Sequence, residues 1–77
     1  MKVTIYGENK AIGIAEKHEG IDFDLVTIKE VRRRNGFTKT NIMIENGQRH
    51  IVLSSGVYNI LTVQDEETGR FLLKVGA

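Results

Sequence analysis

Cysteine, proline and tryptophan are absent from this chain of 77 residues. Without cysteine there is no disulfide framework and no thiolate metal site. Without proline no turn is proline-built, and no slow X-Pro isomerisation is expected. Aromatic residues are scarce, two tyrosines and three phenylalanines. No long apolar run occurs, so neither a membrane-spanning helix nor the apolar segment of a secretory signal is expected. A reducing, cytoplasmic setting fits these absences.

An excess of one charge is missing too. Eleven basic and ten acidic residues leave a net charge of +1, too balanced to imply nucleic acid or membrane by itself. The signatures of chemistry are equally thin. There is no Gly-x-Gly-x-x-Gly and no phosphate-binding loop. Ser54-Ser55-Gly56 lacks the preceding Gly-x of a nucleophile elbow and suits a turn. His18 sits among Glu16, Glu19, Asp22 and Asp24 without calcium-loop or zinc spacing, as a loop histidine on a solvated acidic edge would. Glu66 and Glu67 are adjacent in a loop and need not converge. His50 lies mid-strand among apolar neighbours, the pattern of a packed histidine. The expectation is a protein that is not an enzyme and uses no metal or cofactor.

What the chain does contain is alternation punctuated by eight glycines. Val3 and Ile5 alternate with Lys2, Thr4 and Tyr6, after which Gly7–Lys10 reads as a turn. Ala11–Lys17 reads as a second strand with Ile12 and Ile14 on one face, and Gly13 as a weak point or bulge. His18–Gly20 reads as a break, and Ile21, Phe23 and Leu25 as a half-buried strand. Thr27–Arg34 has two readings. Its β-branched Val26, Thr27, Ile28 and Val31 favour a strand. Thr27 to Glu30 also forms a capping-box pattern that could open one short helix, ending with the arginines and an Asn35-Gly36 cap.

Two Asn-Gly pairs are candidate two-residue hairpins. Around Asn46-Gly47 the implied pairing sets Ile44 against Arg49, Ile42 against Ile51 and Thr40 against Leu53, with a consistent apolar face. Around Asn35-Gly36 it sets Arg32 against Lys39 and Ile42 against Lys29, which mixes faces. That loop therefore needs a different length, or 27–34 is helical. Val57–Gln64 and Arg70–Val75 form a hairpin across Asp65–Gly69, with Leu61, Val63, Phe71, Leu73 and Val75 on one face. The "SSG" turn, 54–56, then joins all four segments from 38 to 76 in one meander. The expected architecture is all-β over 1–77 as one domain: a small antiparallel meander closing into a barrel or two-layer sandwich, with one short helix near 27–34 as the alternative to a strand.

The register leaves two candidate surfaces. The second face of the meander carries Met43, Val52, Tyr58, Ile60 and Leu72, more apolar than a solvated face requires. This is read as a partner-binding surface for a protein or for a second copy of the chain. Size and lack of motif suit a bacterial or phage-encoded module of the accessory or inhibitor type. The alternative is nucleic-acid binding by the Lys29–Lys39 segment, in which five basic residues meet one acid. There Arg32, Arg33, Arg34 and Lys39 surround Phe37, with Arg49 as a further contact. Residues 1–28, with three lysines and five acids, carry the opposite local charge.

Overall fold

Alternation gives each strand two faces, and an apolar face must be buried against another layer. In a computed structural model, which describes residues 1–47 and 49–76, two antiparallel sheets meet this need. The strands are β1 (Lys2–Asn9), β2 (Ile14–Asp22), β3 (Val26–Arg32), β4 (Thr38–Asn46), β5 (Arg49–Ser54), β6 (Ile60–Asp65) and β7 (Phe71–Val75). The first sheet has the order β2-β1-β6-β7 and the second β3-β4-β5. The two stack as a sandwich and do not close into a barrel. Val3, Ile5, Leu61 and Val63 from the first sheet meet Ile42, Ile44 and Leu53 from the second in a fully buried core. Ile21, Phe23, Val26, Ile28 and Ile51 pack around it.

Segment 27–34 falls mainly in a strand, β3, and the Asn35-Gly36 loop is longer than two residues. Arg33 and Phe37 close it: Arg33 N–H donates to Phe37 O at 2.8 Å, and Gly36 N–H to Arg33 O at 3.0 Å. Gly36 has φ 85°, the left-handed position that a three-residue hairpin loop requires. Arg32 now faces Thr38, and Ile28 faces Ile42. Moving the pairing by one residue from the two-residue hairpin brings the apolar faces together.

Several local expectations are corrected. β1 runs through Gly7 to Asn9, and the turn follows it; Asn9 Oδ1 accepts Ala11 N–H at 3.1 Å and Gly13 N–H reaches Lys10 O at 3.3 Å. Ile12 is therefore an exposed turn residue. His18–Gly20 lies within β2, where the register against β1 shifts between Val3 and Ile5. Phe23–Leu25 is a 3-10 turn and not the end of a strand. It carries the chain to the second sheet, with Asp22 Oδ1 accepting Asp24 N–H.

The β4–β5 hairpin keeps its apolar face but pairs two residues away from the Asn46-Gly47 expectation: Asn46 faces Arg49 and Ile44 faces Ile51. A shift of two preserves which face each side chain takes. His50 is exposed, 3.8 Å from Glu45, and is not a packed core histidine. In the β6–β7 hairpin a register break between Val63 and Gln64 sets Gln64 against Phe71. Phe71 is accordingly 44% exposed under the Lys74 ammonium, while Leu73 and Val75 face the core.

The larger correction concerns connectivity. β5 and β6 do not pair, so the four segments from 38 to 76 are two hairpins in different sheets. After β5 the chain turns on Ser54, whose carbonyl accepts the N–H groups of Val57 and Tyr58 at 3.0 and 2.9 Å. It then crosses to lay β6 beside β1.

Candidate functional site

The crossover divides the first candidate surface. Met43 and Val52 face each other on the outer side of the second sheet. Ile60 lies on the outer side of the first sheet, opposite Glu8. Leu72 is at the β7 register break, 40% exposed. Tyr58 points inward and packs against the core. The five residues therefore do not share one face.

Tyr58 belongs instead to a polar cluster that sequence reasoning missed. Gly7, on the inward face of β1, makes room for its ring. A Cβ at Gly7 would lie 2.9 Å from Tyr58 Cγ and 3.1 Å from Leu53 Cδ2. The Tyr58 hydroxyl donates to Glu16 Oε1 on β2, and Glu16 Oε2 lies 2.6 Å from His18 Nε2. Asn9 Nδ2 donates to the carbonyl of neighbouring Val57 at 2.7 Å. Burial pushes the Glu16 carboxyl upward, but the bonds from Tyr58 and His18 prevail and hold it below its ordinary value. The Tyr58 hydroxyl is raised, first by its bond to Glu16 and then by burial. A glycine inside an alternating strand was the available signal, since it marks close approach of another group.

Most of the alternative surface is brought together. Arg32, Arg33, Arg34, Phe37 and Lys39 sit at one end of the second sheet, on the β3–β4 loop and its flanks. Phe37 is 71% exposed. None of the ion pairs among the described residues includes these four cations. Arg49 stands apart. It pairs with Asn46 at the far end of β4, roughly 24 Å from Lys39 by the rise per residue.

A cleft of about 320 Å³ opens at the arginine end. Arg33, Asn35, Phe37, Thr38 and Lys39 form one wall, and Ser55 and Gly56 of the crossover turn form the other. That second wall is fixed to β4 by a reciprocal pair. Ser55 N–H donates to Thr40 O at 2.9 Å, and Ser55 Oγ accepts Thr40 N–H at 2.9 Å. Sequence reasoning found the loop but not this wall, because the wall depends on a contact between segments distant in the chain.

Among the described residues no group of three or more His, Asp or Glu side chains converges to hold a metal ion. Among them, too, no helix is long and apolar enough to cross a membrane. No family model matches the chain, and no match was found among curated proteins or solved structures.

Proposed function

We propose that the protein is a non-enzymatic binding module, that its contact surface is the β3–β4 loop end of the second sheet, and that its partner is nucleic acid. One observation carries this reading: Arg32, Arg33, Arg34 and Lys39 gather around exposed Phe37 with no ion-pair partner among the described residues. Cations without internal partners attract phosphates, and the counterions they displace make binding salt-dependent. An exposed ring adds a face for a base. The net charge of +1 does not oppose this, because a ligand responds to the local field of the Lys29–Lys39 segment. The test is retention of mixed-sequence oligonucleotides across a salt series. Binding at low salt that falls steeply with salt, and weakens when Arg32, Arg33 and Arg34 become Ala, supports the reading. No retention at low salt, or an unchanged affinity in the triple variant, ends it.

A second reading, protein interaction or self-association, has its own support on the outer face of the second sheet. Val52 is 49% exposed opposite Met43, on an edge strand. Exposed apolar surface on an unpaired sheet edge suits cover by another polypeptide. Light scattering over a concentration series tests it: association lost on Val52→Lys supports a self-contact, and a strictly monomeric protein removes it.

A further inference from the structure

We propose that the cleft beside Phe37 seats one unpaired nucleotide, with its flat ring stacked on Phe37 and its phosphate held by Lys39 and Arg33. This deepens the nucleic-acid reading and rests on it for the polymeric form of the ligand. The volume, about 320 Å³, is at the low end of small-ligand sites, roughly 300–1,000 Å³. It matches a single unit and not a larger folded ligand.

The polar chemistry of the walls is one-sided. Two of the lining side-chain acceptors are engaged by backbone: Asn35 Oδ1 takes Phe37 N–H at 3.2 Å, and Ser55 Oγ takes Thr40 N–H at 2.9 Å. The donors are free. Among the described residues the Arg33 guanidinium, Asn35 Nδ2, the Lys39 ammonium and the Ser55 hydroxyl proton meet no acceptor. A lining with two free cations and no carboxylate recognises an anion. Lys39 is carried across the second wall. A Cβ at Gly56 would lie 3.6 Å from Lys39 Cε, an ordinary van der Waals distance, so the lysine stem runs beside Gly56.

The exposed ring adds a second requirement. An acidic peptide satisfies the donors but offers no flat group to Phe37, whereas a nucleotide supplies both. A duplex hides the faces of its bases in the stack, so only an unpaired base reaches the ring. The same chemistry is found in a single strand and in a free nucleotide.

The experiment compares an oligothymidylate of about ten nucleotides, a length within known single-strand site sizes, with a duplex of equal length and with thymidine monophosphate. The protein lacks tryptophan, so Phe37→Trp supplies a unique fluorophore at the ring. The expected result is tighter binding of the single strand than of the duplex, quenching of the new fluorophore, and roughly a tenfold loss of affinity in Phe37→Ala. Lys39→Gln should lower the salt slope by about 0.7, one phosphate contact. Equal affinity for duplex and single strand with no effect of Phe37→Ala overturns the nucleotide seat but leaves the nucleic-acid reading standing. Phe37-dependent binding of the monophosphate alone supports the seat and overturns the polymer. Binding of none of the three at low salt overturns both.

Discussion

Two aromatic residues organise the polar chemistry of this protein, and their surroundings are opposite. Around Tyr58 the polar groups answer one another: hydroxyl to Glu16, Glu16 to His18, and Asn9 to the Val57 carbonyl. Around Phe37 the cations of the loop have no ion-pair partner among the described residues, and the ring is exposed. The first arrangement holds strands together. The cations and the exposed ring of the second form no ion pair within the fold and are ready to meet a ligand. A cluster with shifted carboxyl and hydroxyl groups invites a functional reading, yet here it is the satisfied cluster that ties the crossover to β2. The unsatisfied one is the better candidate site.

The sharpest way to break this comparison is to remove each ring. Tyr58→Ala deletes a half-buried ring that packs over Gly7 and Leu53. It should cost about 2–4 kcal/mol, toward the lower part of the range for buried aromatic truncations. Phe37→Ala should change stability by less than about 0.5 kcal/mol, as exposed substitutions do. Urea denaturation of the two variants reads both values. Equal losses would show that Phe37 is part of the fold and not of a free surface.

Gly7→Ala is the next largest. Its Cβ would fall 2.9 Å from Tyr58 Cγ and 3.0 Å from Cδ1, so the ring must move. Overpacking of this kind costs about 1–3 kcal/mol. Combining Gly7→Ala with Tyr58→Ala should cost less than the separate effects added, because the clash is gone. Simple additivity in denaturation midpoints would mean that the glycine serves the backbone and not the ring.

These two residues also mark where sequence reasoning succeeded and where it stopped. Alternation puts Ile42, Ile44, Ile51 and Leu53 on one apolar face, and they take it although their pairing lies two residues away from the expected turn. Strand periodicity is two, so face assignments survive even-numbered slips. Periodicity does not say which sheet a strand joins. In a sandwich both sheets aim apolar residues at the same interior, so Leu53 and Leu61 share a core without sharing a sheet. That degeneracy made four segments look like one meander and put Tyr58 beside Ile60 and Leu72. The arginine loop was visible as composition and its length as a register conflict. Its partner wall, Ser55 and Gly56, was visible only as a turn.

A smaller effect separates the clusters by pH. Glu16 is held below its ordinary 4.5 once the bonds from Tyr58 and His18 outweigh burial. Glu66 is held below 4.5 by the Gly20 N–H first and the Thr4 hydroxyl next. As pH falls the unfolded chain takes up these protons before the folded one. The stability they give is thus present above about 4.5 and lost as pH falls through the folded values. Tyr58 works on the other limb. Its folded value is raised above 10.0, so its contribution is present below that pH and lost as pH rises through the folded value. Tyr6, raised by its bond to Glu8, adds to the same limb. Urea midpoints plotted against pH should therefore fall at both ends. Tyr58→Phe should soften both falls, and Glu66→Gln only the acid one. A Tyr58→Phe profile parallel to that of the unaltered protein would show that the hydroxyl does not engage Glu16 in solution.

The smallest expected effect is also the most specific. Arg49 is as exposed and as cationic as the loop arginines, and composition alone gives no reason to set it apart. Its pairing with Asn46 puts it at the opposite end of β4 from Lys39, a separation of roughly 24 Å by strand rise. That is beyond the roughly 8 Å over which charges act through physiological salt. Arg49→Ala should then leave both the affinity for a short single strand and its salt slope unchanged within error, while Arg33→Ala lowers the slope by about 0.7. If the two substitutions weaken binding equally, the ligand reaches both ends of the second sheet. Arg33 and Arg49 would then belong to one extended contact, and the two ends of the sheet would not differ in function.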